Sequence, residues 1–267
     1  MDDQTALKGR VSDAEWRIRC DLAALYRATA MMGWDDLIFT HISARVPAKD
    51  SQVPQADGNH IAAENDHFLI NPYGVFFEEM TASQLVKIDI DGRVVDGSTA
   101  MVNPAGFTIH SAIHGALKDA HFVMHLHTDA MTGVSAQKEG LLPLTQNALL
   151  LRPQLAYHDY EGVALDLEER GRIVRDIGSR RLLMLRNHGT LTWGMTAGEA
   201  FTQMYFLEQA CRQQIAALSA GRDNLVEVGQ DVQDVVAQLS GGVGFVGALV
   251  WPGLLRRLNR KIPGYDV

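Results

Sequence analysis

Cysteine is nearly missing from the chain: Cys20 and Cys211 are the only two in 267 residues, far apart and without a C-x-x-C spacing. That excludes a disulfide framework and a thiolate metal site, and it fits a reducing compartment. Positive charge is also scarce, with 24 Lys and Arg against 32 Asp and Glu and a formal net charge of -8. Such a chain lacks the field that neutralises the phosphates of a duplex or docks on anionic lipid, so neither nucleic acid nor membrane is expected as a partner. The opening MDDQTALKGR has no apolar core and reads as neither a secretory nor a transit signal, which makes a cytoplasmic location the expectation. Internal repeats and low-complexity linkers are absent as well.

Residues 235–255 carry no charge, yet Gln238, Ser240, five glycines and Pro252 interrupt them. This stretch is expected to pack on the body of the protein or on a neighbouring subunit, with Arg256, Arg257, Arg260 and Lys261 forming a solvated helix face behind it. The expected organisation is one domain over 1–230 and a C-terminal tail over 231–267.

What the chain does have, against 46% hydrophobic and 21% charged residues of an ordinary globular protein, is ten histidines. With cysteine so scarce, a transition-metal site would have to be built from imidazole and carboxylate.

Periodicity predicts a mixed fold. Residues 14–31 repeat apolar groups at helical spacing behind the capping box Ser12-x-x-Glu15. Strand-like runs follow at 37–46, 67–71 and 85–90, the last ending in the turn pair Asp91-Gly92. A helix over 106–117 precedes a strand at 121–127, a β pair is expected at 182–187 and 190–193, and Thr196 to Ala220 reads as a long helix stopped by Gly221. Strict βαβ alternation, G-x-G-x-x-G and a P-loop are all missing, which points to an α/β sandwich on a mixed or antiparallel sheet, without a nucleotide cradle.

In HFVMHLHT a period of two puts His125 and His127 on one face of a strand, about 7 Å apart along the backbone, with Met124 and Leu126 on the other. Two imidazoles in an apolar strand need partners, and a divalent ion is the reading preferred over a structural role. His188, at the strand break Asn187-His188-Gly189, is the natural third ligand; His121 at the strand entry is the weaker candidate.

Together, VMHLHTDA and LRNHGTLTWG, with HISARVP ahead of them and INPYG between, resemble the class II aldolase and adducin family from about Glu15 to Leu218. The resemblance implies a three-layer αβα sandwich with a mixed, largely antiparallel central sheet, assembled as a homotetramer. It also implies a small-molecule substrate and a divalent ion on three histidines, here His125, His127 and His188. Zinc is the first expectation, with iron, manganese or cobalt as the others. Such an ion polarises adjacent oxygens of a ketol and stabilises an enediolate as a carbon–carbon bond breaks.

This chain departs from the sugar-phosphate aldolases of the family where they carry an acid/base Glu, for the matching stretch NPAGFTIH places Gly106 there. Pro104 and Ala105 replace phosphate-holding serines, and Tyr73-Gly74 stands for the usual Ser-Gly, so a non-phosphorylated substrate is expected. NPAGFTIHSAIH and YHDYEG are closer to the adducin-like bacterial branch. His41, where sugar aldolases have an asparagine, and Tyr160 are the candidate proton-transfer groups. Asn71, Gly74, Gly106 and Arg45 are expected around the substrate, Arg45 as a carboxylate clamp. A structural ion pair is the expectation for Arg186, solvated loop positions for Asp159 and Glu161, and core packing or a hydrogen bond to the site for His110 and His114 at i and i+4.

The functional expectation is a divalent-metal-dependent carbon–carbon lyase, of aldolase or decarboxylase type, for a small hydroxy- or keto-acid. The alternatives are a non-haem iron oxygenase on the same scaffold and a non-catalytic adducin-like interaction module.

Overall fold

A computed structural model describes residues 7–54, 60–62, 64–163 and 166–267. In chain order these form α1 (Asp13–Met31), β1 (His41–Val46), β2 (Gln52–Pro54), β3 (His60–Ala62), β4 (His67–Ile70), β5 (Val86–Ile88), α2 (Pro104–Ala116), β6 (Phe122–Leu126), α3 (Asp129–Ser135), α4 (Gln146–Leu151), β7 (Leu155–His158), α5 (Glu169–Ile177), β8 (Leu182–Leu185), β9 (Gly189–Gly194), α6 (Ala197–Leu218), α7 (Gln230–Ala237) and α8 (Val243–Lys261).

Seven strands pair in the order β5-β4-β1-β6-β9-β8-β7. Every contact in this sheet is antiparallel except the parallel β7–β8 pair. Helices cover both faces. Ile42, Ala44, Met124, Leu126 and Met184 point into a core shared with α1, α3, α6 and α8, whereas Val123, Leu183, Leu185 and Leu191 meet Ile109 and Ile113 of α2 and Ile173 and Ile177 of α5. The strand period of two therefore sends His41, Ser43, Arg45 and His125 toward the α2 side. This is the αβα sandwich on a mixed, largely antiparallel sheet.

Several local expectations shift. The run at 37–46 becomes strand only from His41, because Leu37 takes φ 50° in the preceding turn. Likewise 85–90 shortens to β5. The helix expected from Gly106 begins at Pro104, whose fixed φ and missing N–H suit the first helical position. At α1, Ser12 Oγ accepts from the Glu15 N–H at 3.0 Å, but the reciprocal half of the capping box is replaced. Glu15 turns inward, 2.9 Å from Arg19 Nε and 2.7 Å from Lys87 Nζ, in a fully buried ion group joining α1 to β5.

The tail packs through an unusually close helix crossing. A Cβ built on Gly247 of α8 would stand 2.8 Å from backbone atoms of Gly198 and Glu199, so α8 lies directly on the first turn of α6. Leu254 and Leu258 are buried beneath it, while Phe245 and Leu249 face outward, 72% and 65% exposed. By length and composition the helical stretch Gln230–Lys261 could cross a membrane, but those two criteria are equally met by a helix that packs on its own or a neighbouring subunit.

Candidate metal centre

The register of three antiparallel strands builds the site. His125 of β6 lies opposite His41 of β1 and Leu191 of β9, and His127 follows one residue beyond the strand end. His188 sits in the β8–β9 turn after Asn187, which takes a left-handed φ of 57°; asparagine is among the residues that tolerate this conformation best. The turn swings His188 over the end of β6, with its ring centroid 4.9 Å from that of His125 and 4.8 Å from that of His127. One ring nitrogen from each of the three falls within 4.8 Å of the others.

Hydrogen bonds fix which nitrogens face one another. His125 Nδ1 lies 3.0 Å from the Thr190 carbonyl oxygen, which can only accept, and His127 Nδ1 lies 3.2 Å from Asp36 Oδ2. Both imidazoles thus carry their proton on Nδ1, and their Nε2 atoms meet at 2.9 Å. Two lone pairs at that distance repel each other unless a cation or an extra proton lies between them. An extra proton is disfavoured at His125, because burial and then the neighbouring His127 and His188 hold its pKa well below the ordinary value. His188 is lowered to about 4, first by burial and then by His127. Neutral Nε2 donors with Nδ1–H bonded to a carbonyl and a carboxylate are what a borderline divalent cation takes as ligands, so the residues fit the ion that the sequence implies.

The centre opens on a cleft of about 410 Å³, lined also by His41, Phe39, Tyr73, Asn103, Ile109, Tyr160 and Val163. Tyr160 is 55% exposed, its ring 6.4 Å from that of His188. Gly106 lies against the His41 ring, and Gly74 follows Tyr73 in a turn. Two expected substrate contacts lie elsewhere. Asn71 is buried, its Oδ1 accepting from Tyr26 Oη at 2.8 Å as part of the junction of α1 with β1 and β4. Arg45 donates to Asp66 Oδ2 at 2.7 Å and to the His114 carbonyl, closing the C-terminal end of α2. Among the described residues Arg186 has no ion-pair partner. It donates to the Gln137 carbonyl at 2.7 Å and lies 4.3 Å over the Tyr157 ring, where the cation meets the negative face of the π system.

Asp36 and the Thr190 carbonyl were not foreseen. A backbone carbonyl leaves no trace in sequence; the Asp35-Asp36 pair ahead of β1 was the one available signal. A second cluster, His158, Glu161 and Glu169, also brings ligand atoms within 4.8 Å. Its imidazole already has carboxylate partners, with His158 2.7 Å from Asp176 and 3.4 Å from Glu169. Glu161, expected in solvent, is paired with Arg172 at 2.8 Å.

Comparison with known proteins agrees with this architecture. The family model "Class II Aldolase and Adducin N-terminal domain" matches residues 20–215. A putative aldolase class 2 protein of Caulobacter vibrioides is 59% identical over 261 residues, covering 97% of this chain and 96% of the relative. Alpha-adducin of Rattus norvegicus is 44% identical over 214 residues, 78% of this chain but 27% of the adducin, so the likeness is confined to a minor part of that longer protein. Among solved structures, an aldolase II superfamily protein from Pseudomonas syringae superposes with a TM-score of 0.88 at 44% identity, covering 98% of this chain and 99% of that one.

Proposed function

The chain belongs to the class II aldolase and adducin family, and from that premise we propose that it is a divalent-metal-dependent carbon–carbon lyase for a small, non-phosphorylated hydroxy- or keto-acid. The observation that carries the reading is the approach of the Nε2 atoms of His125 and His127 to 2.9 Å beside His188, with both Nδ1 atoms already hydrogen-bonded. A divalent ion, zinc in this proposal, supplies Lewis-acid stabilisation of negative charge developing on substrate oxygen.

The protein's own groups account for the rest. His41 offers an imidazole at the cleft wall to take a hydroxyl proton, and the exposed Tyr160 hydroxyl stands across the cleft to return one. Phe39, Ile109 and Val163 form an apolar wall that lowers the local dielectric. Absence of a phosphate is supported by the lining itself, which among the described residues includes no Lys or Arg. The exposed apolar side chains of α8, with Val235 and Leu239 ahead of it, support a homotetramer in which a neighbour covers the tail. A cytoplasmic location accords with the scarcity of cysteine.

The test is metal analysis of protein purified without chelator or nickel resin, followed by assays for retro-aldol cleavage and decarboxylation of short hydroxy- and keto-acids. Bound zinc, lost in His125→Ala and His188→Ala together with turnover, is the expected result. Turnover that survives metal stripping overturns the reading. Because alpha-adducin shares 44% identity with this chain, the second reading is an interaction module, which predicts partner binding that is indifferent to metal and no turnover. Light scattering reading a monomer at micromolar concentration would remove the tetramer.

A further inference from the structure

In the sequence Gly106 is the loss of a side chain; in three dimensions it is the seat of a ring. The first turn of α2 crosses the start of β1 so closely that a Cβ on Gly106 would stand 2.6 Å from His41 Cδ2 and 2.9 Å from Cγ and Nε2. No residue with a Cβ leaves room for the imidazole where it lies. That ring is also the last link of a buried chain. His41 Nδ1 is 2.9 Å from His110 Nε2, and His110 Nδ1 is hydrogen-bonded to Ser43 Oγ. Ser43 Oγ is 2.7 Å from His114 Nε2, and His114 Nδ1 is 2.8 Å from the carbonyl oxygen of Ala120.

Hydrogens in this chain have one consistent arrangement. The Ala120 carbonyl can only accept, so His114 carries its proton on Nδ1 and its neutral Nε2 must accept. Ser43 then spends its single O–H on His114 and accepts from His110 Nδ1–H. His110 Nε2 is left as an acceptor, which puts the His41 proton on Nδ1. His41 Nε2 emerges bare. No hydrogen bond of that atom to another described residue is found, and the His41 side chain lines the metal cleft. Neutral rings are the forms present at His110 and His114 near neutral pH, since burial lowers both pKa values and, with Arg45 beside it, brings His114 to about 3.

We propose that His110, Ser43 and His114, anchored on the Ala120 carbonyl, form a tautomer lock that presents an unprotonated His41 Nε2 to the cleft, and that Gly106 is the seat that admits this ring. His110, Ser43 and His114 are positioning residues acting through His41. The lock stands on geometry alone; the use of the bare Nε2 as acceptor for a substrate hydroxyl rests on the lyase reading.

Two-bond proton–nitrogen correlation spectra of the intact protein with ¹⁵N-labelled histidine, recorded with and without added zinc, test it. The expected spectrum shows the Nδ1–H tautomer at His41, His110 and His114. An Nε2–H signal at His41 in the unsubstituted protein overturns the lock without any variant. Ser43→Ala is expected to release the upper half of the chain, so that the Nε2–H form appears at His41 and His110 while His114 keeps its bond to Ala120. Gly106→Ala is expected to shift the His41 signals and leave those of His114 in place. Unchanged His41 signals in either variant count against the proposal. Zinc content measured on the same samples separates the two readings: zinc bound without the lock overturns this inference alone, and the lock in a protein that takes up no zinc overturns the lyase reading alone.

Discussion

Lowering the pH from 7.5 to 5.5 protonates His114 in the unfolded chain but not in the folded protein, and the structure makes the cost quantitative. The imidazole is enclosed by Phe68 of β4, Ser43 and Arg45 of β1, and His110 of its own helix, with His121 nearby. Burial first, and then the Arg45 guanidinium, bring its pKa from 6.5 to about 3. In the unfolded chain it titrates near 6.5, so the unfolded state binds the proton first as the pH falls. A folded-state pKa below the unfolded one makes stability fall with acid, from the unfolded value down to about 3. Between pH 7.5 and 5.5 this single group removes about 1.4 kcal/mol of stability. His114→Gln keeps a neutral donor for the Ala120 carbonyl and an acceptor for Ser43 but takes up no proton. Urea unfolding followed by far-ultraviolet circular dichroism, at fixed protein concentration and with chelator present, should show a loss on acidification about 1.4 kcal/mol smaller in the variant. Identical losses in both proteins would mean that acid reaches this imidazole in the folded state, and the reasoning about its enclosure would be wrong.

Glu15→Gln leaves Lys87, 1% exposed, and the fully buried Arg19 without their shared counter-charge, and unfolding free energy should drop by about 3–5 kcal/mol in urea titration; a drop below a tenth of that would show that water already reaches the group. Gly247→Val forces α8 away from the Gly198 backbone, so a loss of about 1–3 kcal/mol is expected, together with greater protease cleavage of the tail; unaltered stability and digestion would place the tail elsewhere. Asp36→Asn replaces the carboxylate that orients His127 and should weaken zinc about 10- to 100-fold in chelator competition, whereas an unchanged affinity would mean that this partner does not tune the ligand.

The layers of the fold were readable because burial writes itself into periodicity. Met124 and Leu126 alternate with Val123 and His125, and the structure puts the two sets on opposite faces of β6. Caps were half readable: Ser12 and Thr196 do accept from the N–H three residues on, but nothing local said that Glu15 would prefer the buried cations Arg19 and Lys87 over its own N-cap. Arg45 and Arg186 take partners that their local sequence does not show, for a related reason. A guanidinium finds its partner across the fold, here Asp66 and the face of Tyr157, and neither distance is encoded near the arginine in the chain.

The site divides along the same line. His125 and His127 share a strand face by a rule that needs only their spacing, and His188 joined them through a strand break and the family resemblance. The inner side of the site depends on contacts 67 to 71 residues apart in sequence, with β1 bringing His41 and Ser43 and α2 bringing His110 and His114 beside Gly106. Read along the chain, glycine at 106 subtracts a carboxylate and histidine at 41 is an unrelated change. Across the 2.6 Å that separates a hypothetical Cβ from the ring, they are one change, because the ring occupies the volume that a side chain at 106 would need. Restoring glutamate at 106 therefore would not recreate the sugar-phosphate type of site. It would displace His41 from His110 and open the hydrogen-bonded chain at its cleft end.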